Sequence, residues 1–191
     1  MALAKNQLTE LTVTAVTGEG NGVARYIDAD TPAPGMVVFL PRTAIGDVVR
    51  SRIVKVQKNH AFGRVEEVLT ASPDRGADPC GGCAVFGRCG GCTWRHVTYA
   101  AELRYKQQWV ADTLSRIGGL TVAPLPIVGA DDPDRYRNKA QFPVAPAQPG
   151  GADPFTPQIG FFAPRSHRLV PIDGCLIENR ALYNVAQAVH C

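Results

Sequence analysis

Four cysteines crowd one short stretch: Cys80, Cys83, Cys89 and Cys92, in PCGGCAVFGRCGGC. The chain opens on MALAKNQLTELTV, without an apolar leader, so this density favours metal or redox chemistry over structural disulfides. Two ligand sets are open. Cys80, Cys83, Cys89 and Cys92 form two CxxC pairs with five residues between them, and four thiolates suit a tetrahedral zinc. That frame is cramped, because common zinc frameworks separate the pairs by about a dozen residues or more. The other set is Cys83, Cys89 and Cys92 with a remote fourth ligand. Cys175, in PIDGCLIENR, is the candidate for it apart from the terminal Cys191. An iron–sulfur cluster needs four thiolates spread around a larger volume than one ion. Gly90 and Gly91 let the backbone turn tightly beside the sulfurs in either case.

Charge suggests a second chemistry. The net charge of +3 decides little, but its distribution is uneven. Between Arg42 and Arg64 lie six basic residues (Arg42, Arg50, Arg52, Lys55, Lys58 and Arg64) and one acid, Asp47. Such a surface can meet a polyanion, or it can be a solvated strand face. Further on, Arg135, Arg137 and Lys139 alternate, and Arg165, His167 and Arg168 cluster in a short segment.

The elements that would position these residues are mostly strands. At 45% hydrophobic and 19% charged residues the chain reads as globular. Its 19 glycines and 15 prolines predict many loops and few helices. LTELTVTAV, with Leu11, Val13 and Ala15 on one face, is followed by VARYI, MVVFL, DVVRSRIVKV and FGRVEEVL. Short strands at this spacing predict a small barrel or sandwich. In VVRSRIVKV neither parity is cleanly apolar, but Arg50 and Arg52 share a face. Tyr26, Phe39 and Phe62 are assigned to the core. GEGNG is a turn and not a dinucleotide loop, since no helical pattern follows it.

A loop is expected over 71–97. A helix over 99–117 would pack through Tyr99, Leu103, Val110, Leu114 and Ile117, ending at Gly118-Gly119. RYRNKAQFPV and QIGFF read as strands flanking a hairpin tip, APAQPGGADPFTP. A last helical pattern starts near Asn179, with Leu182, Val185, Ala186 and Val189, and runs into Cys191. We expect the chain to be cut inside that element. No apolar run reaches the length of a membrane span.

These segments together resemble a known family. CAVFGRCGGCTWRHVTYAAELRYK is similar to the cluster segment of bacterial 23S rRNA (uracil-5-)-methyltransferases. YRNKAQFPV, GFFAPRSHRLVPIDGC and LIENRALYNV resemble that family's central domain. GEGNGVARY and VVFLPRTAIGDVVRSRIVKV resemble a TRAM domain, an OB-like RNA-binding module. Methylthiotransferases that also join a TRAM domain to a cluster use CxxxCxxC spacing and the opposite domain order.

The resemblance implies a 4Fe–4S cluster on Cys83, Cys89, Cys92 and Cys175, with Cys80 an extra thiol. It implies a mainly β and α+β fold: an OB-like TRAM barrel over 1–70, then a cluster-bearing α+β central domain over 71–191. It also implies ribosomal RNA as partner. The expected RNA contacts are Arg42, Arg50, Arg52, Lys55, Lys58, Arg135, Arg137, Lys139, Arg165, His167 and Arg168. In the family a further Rossmann-like domain binds S-adenosylmethionine and carries the cysteine nucleophile and the carboxylate base. Neither is legible here, so no catalytic or cofactor-binding residue is assigned. S-adenosylmethionine is expected only where that domain is present. A cytoplasmic monomer is expected. The alternatives are a stand-alone RNA-binding protein with a structural metal, and a zinc-bound interaction module.

Overall fold

The computed structural model describes residues 3–28, 34–78, 80–146 and 157–190. They form two compact units. One comprises Met1–Pro79 and His96–Ile127, and the other Cys80–Arg95 and Val128–Cys191.

The first unit is built on a closed five-stranded barrel. Its strands are β1 (Leu8–Val16), β2 (Asn21–Tyr26), β3 (Met36–Pro41), β4 (Val48–Val56) and β5 (His60–Thr70). Their order around the barrel is β1-β2-β3-β5-β4, with β4 returning to β1. Every neighbouring pair is antiparallel except β3 and β5. Alternation places Leu11, Val13, Ala24, Val38, Leu40, Val49, Ile53 and Ala61 inside. On β4 the inward parity is Val49, Ser51 and Ile53, so Arg50 and Arg52 face out. Ser51 tolerates the core because its hydroxyl donates to the Arg64 carbonyl at 3.1 Å.

Two expectations for these strands need correction. Ala15 does not continue the buried face of β1, because the pairing slips between Val13 and Ala15 and the strand turns it outward. Phe39 and Phe62 are not core residues. They have the parity opposite to the buried Val38, Leu40 and Ala61, and lie half-buried on the outer wall. Tyr26 does pack against the core.

A buried carboxylate ties the barrel to the segment after β5. Asp47 is fully buried and accepts from the Ala44 and Ser72 amides at 2.6 and 2.9 Å, and from Arg75 Nε and Nη2 at 2.9 and 2.8 Å. Gly22 serves close packing: a Cβ there would lie 1.9 Å from Thr43 Oγ1. Residues 74–76 then pair with 96–98, through an Arg75–Val97 bridge and bonds from Gly76 N to His96 O and from Thr98 N to Asp74 O. The cysteine loop leaves and returns across this short ladder.

Helix α1 (Tyr99–Asp112) begins where the Thr98 hydroxyl accepts from the Ala101 amide at 3.2 Å. The stripe proposed for it is not its packing face. Ala101 and Tyr105 are buried, whereas Val110 is 39% exposed and Ile117, in a π-helical turn, 84%. Tyr105 sets the docking: its hydroxyl donates to Asp74 at 2.7 Å and accepts from the Ile45 amide at 3.1 Å. The Trp109 ring lies under Gly18.

The second unit holds a small antiparallel sheet, β6 (Val144–Ala145), β7 (Gln158–Phe162) and β8 (Leu169–Pro171), and helix α2 (Arg180–His190). The antiparallel pairing of β6 with β7 agrees with the expected hairpin, whose tip at 147–156 lies outside the described residues. RYRNKAQFPV is not a strand over its length. Arg135 has a left-handed φ of 56°, and the stretch before β6 holds only one described bridge, Arg137–Glu178. Asn179 caps α2 by accepting from the Ala181 amide at 2.9 Å. Among the described residues no helix is long and apolar enough to cross a membrane.

Candidate functional site

Within the second unit, Cys83, Cys89, Cys92 and Cys175 line one pocket. Three come from the loop, and the fourth arrives from the segment after β8, 83 residues beyond Cys92. Phe86, Phe161, Ile172 and Ile177 make the pocket walls largely apolar, and Arg95 and Arg137 add positive charge. Cys80 is exposed and does not line the pocket. None of the five described cysteines is in a disulfide.

The loop is held from several sides. Gly90 donates to the Phe162 carbonyl at 3.0 Å, and a Cβ there would come within 3.1 Å of that oxygen. The Gly91 amide donates to Cys89 Sγ at 3.3 Å. Arg95 donates to the Gly81 carbonyl at 3.1 Å and pairs with Asp134. The Arg135 guanidinium donates to the Cys175 and Glu178 carbonyls, fixing the backbone that carries the fourth cysteine. Arg137 bonds the buried Glu178 at 3.4 Å.

Burial pushes the Cys89 thiol up, partly offset by the Gly91 amide, with Cys175 and Cys83 raising it further. Burial also pushes Cys92 up. There Arg95 opposes the shift and Cys175 and Cys89 add to it. Cys175 thus acts on both Cys89 and Cys92 within one pocket. Among the described residues, however, no three His, Cys, Asp or Glu side chains are drawn together as ligands of one metal ion. The donor set suits a group that spreads its ligands: four soft thiolates, apolar walls, two guanidiniums and a backbone amide on sulfur.

The expected RNA contacts separate into three groups. Arg50 and Arg52 face outward but are ion-paired. Arg50 meets Glu10 at 3.3 Å and Glu67 at 2.6 Å, and Glu66 takes Arg52 at 3.0 Å and Arg64 at 2.8 Å. Arg135 and Arg137 turn toward the 175–178 segment. The exposed group is Arg42, Lys55, Lys58, Lys139, Arg165, His167 and Arg168. The last three sit on the β7–β8 turn, where the His167 ring meets the exposed Phe162 edge-on at 5.3 Å.

Sequence reasoning missed Arg95 and Phe162, and it placed Phe39 and Phe62 on the wrong side of the wall. The parity of MVVFL against the buried Val38 and Leu40 was the available signal for Phe39. His96 is buried in the first unit with Nε2 3.1 Å from the Thr43 carbonyl, and burial holds its pKa below the usual range.

Residues 4–65 match the family described as the TRAM domain. An uncharacterized RNA methyltransferase of Halalkalibacterium halodurans is 40% identical over 176 residues, covering 92% of this chain and 35% of that protein. One of Gloeobacter violaceus is 35% identical over 182 residues, covering 95% and 37%. The solved structure of the Pyrococcus abyssi tRNA (uracil-54, C5)-methyltransferase, in complex with S-adenosyl-L-homocysteine, matches 94% of this chain and 35% of its own at a TM-score of 0.54. At 20% identity that likeness is one of fold. The chain spans about a third of the length of the curated relatives it matches. It carries a TRAM domain on a closed five-stranded barrel and is related to proteins named as RNA methyltransferases.

Proposed function

We propose that this chain is the RNA-binding, iron–sulfur portion of an S-adenosylmethionine-dependent 23S rRNA (uracil-C5)-methyltransferase, and that it positions the target uridine for methylation elsewhere in that enzyme. The observation that carries the reading is the gathering of Cys83, Cys89, Cys92 and the distant Cys175 around one pocket. A 4Fe–4S cluster would be held by these four thiolates and would crosslink the loop to the segment after β8. Arg95 and Arg137 would offset the thiolate charge, and Arg135 would hold the Cys175 backbone in place. Methylation at uracil C5 needs a nucleophile at C6, a base and the methyl donor, which this reading assigns to sequence outside the chain. Its own residues hold RNA: the β7–β8 turn with Arg165, His167 and Arg168, and the cationic side chains of the barrel.

The test is anaerobic purification with iron and sulfide analysis, followed by titration with ribosomal-RNA hairpins over a range of salt. About four irons and four sulfides per chain are expected. Neutralising about five phosphates of a single strand gives a log–log salt slope near −3 to −4. Colourless protein with one tightly bound zinc and no RNA affinity at low salt overturns the reading and leaves the zinc-bound interaction module.

A further inference from the structure

The outer wall of the barrel carries three aromatic rings in mutual contact. Phe39 lies 5.5 Å from His60 and 5.6 Å from Phe62, and His60 lies 5.2 Å from Phe62. All three are half-buried, so part of each ring stays accessible. Strand register explains how they meet. Side chains at paired positions share a face, so one row across the wall reads Val23, Phe39, Phe62 and Lys55 on β2, β3, β5 and β4. The row beside it reads Arg25, Val37 and His60, with Lys58 in the turn that leads into β5. Lys55 thus stands at one end of the first row, and Arg25 and Lys58 flank the second.

These cations differ from the arginines of the barrel's other face. Arg50, Arg52 and Arg64 are held by Glu10, Glu66 and Glu67. Among the described residues Lys55 and Lys58 make no ion pair, and Arg25 donates to the Pro34 and Gly35 carbonyls and to no carboxylate. Three of the barrel's cations without an ion pair among the described residues thus border its half-buried rings. Aromatic faces bordered by unpaired cations suit a strand that offers bases and phosphates together.

We propose that Phe39, His60 and Phe62 form a stacking platform for the bases of single-stranded RNA, with Arg25, Lys55 and Lys58 taking its phosphates. The platform rests on the RNA-binding reading above and adds where and how the barrel engages the strand.

The test is fluorescence anisotropy of the 191-residue chain with a labelled ten-residue oligouridylate, and with an abasic oligomer of the same phosphate count. Wild-type protein binds the base-bearing strand more tightly. Phe39→Leu and Phe62→Leu keep apolar bulk on the wall and remove the π-face. Each weakens binding of the base-bearing strand by about 5- to 150-fold and leaves the abasic strand unaffected. Phe39→Tyr and Phe62→Tyr retain affinity, which separates stacking from a folding defect. Lys55→Gln and Lys58→Gln weaken both strands and flatten the salt slope by about 0.7 each. If wild-type protein binds oligouridylate and both leucine variants bind it equally well, the platform is wrong and the RNA reading stands. If wild-type protein binds neither strand at low salt, both fail.

Discussion

Replacing Asp47 with Ala should destabilise the barrel unit strongly, because it removes the acceptor that buried donors share. Asp47 accepts four hydrogen bonds, two on each carboxylate oxygen, and is fully buried. Alanine leaves the amides of Ala44 and Ser72, both buried, without an acceptor. Each orphaned amide costs about 1–3 kcal/mol. Arg75, with 15% of its side chain exposed, loses its carboxylate but keeps the Arg42 carbonyl at 3.2 Å and some water. The expected total is therefore about 3–5 kcal/mol, the usual cost of breaking a buried pair from one side. At about 4 °C per kcal/mol this lowers the melting midpoint by roughly 12–20 °C. Asn is no rescue, because its amide nitrogen must face two donors whichever way it flips. Thermal unfolding followed by circular dichroism, with urea titration alongside, measures the loss. The Asp47→Ala, Arg75→Met double variant should lose less than the two singles combined. A shift below about 4 °C for Asp47→Ala would refute the reasoning.

Three further outcomes are expected. His96 has a folded pKa below its ordinary 6.5 because burial disfavours the charged ring, so the unfolded chain takes up the proton first. Stability is then fully present above about 6.5 and falls as pH drops from there toward the folded pKa; His96→Gln should flatten that slope in urea melts at pH 5 to 7. Gly22→Ala forces a methyl into Thr43 and should cost about 1–3 kcal/mol in the same melts. Cys175→Ser should release metal and lower the melting point together, whereas Cys80→Ser should keep both, as read by metal analysis and calorimetry; the reverse pattern would return Cys80 to the ligand set.

The barrel was legible because its signals are local. Alternating apolar residues and turns rich in Gly and Pro define five strands without long-range information. The bulge at Val13–Ala15 was not, since slipped pairing is a property of two strands and not of either alone. The α1 stripe failed for a related reason: Tyr105 is buried because Asp74 and the Ile45 amide claim its hydroxyl, and both lie far away in sequence. At the candidate site, spacing was enough to single out Cys83, Cys89 and Cys92. Spacing left Cys80 and Cys175 both open, the cramped frame counting against Cys80, and the resemblance then favoured Cys175. Charge counting within 42–64 overstated the free basic surface, because Glu66 and Glu67 just beyond that window and Glu10 on the distant β1 pair with its arginines.

The ladder joining residues 74–76 to 96–98 has a consequence for how such chains diversify. Both footings of the cysteine loop are fixed to each other before the loop begins, by the two backbone hydrogen bonds of one antiparallel bridge. Lengthening a loop between fixed ends costs little, about 0.6 kcal/mol for each doubling. Changes of length between Gly76 and His96 therefore cost the barrel little, since its footings stay paired whatever lies between them. The stretch between the footings can thus vary in length without loss of the barrel, while its own path is set by the Phe162 carbonyl and by Asp134.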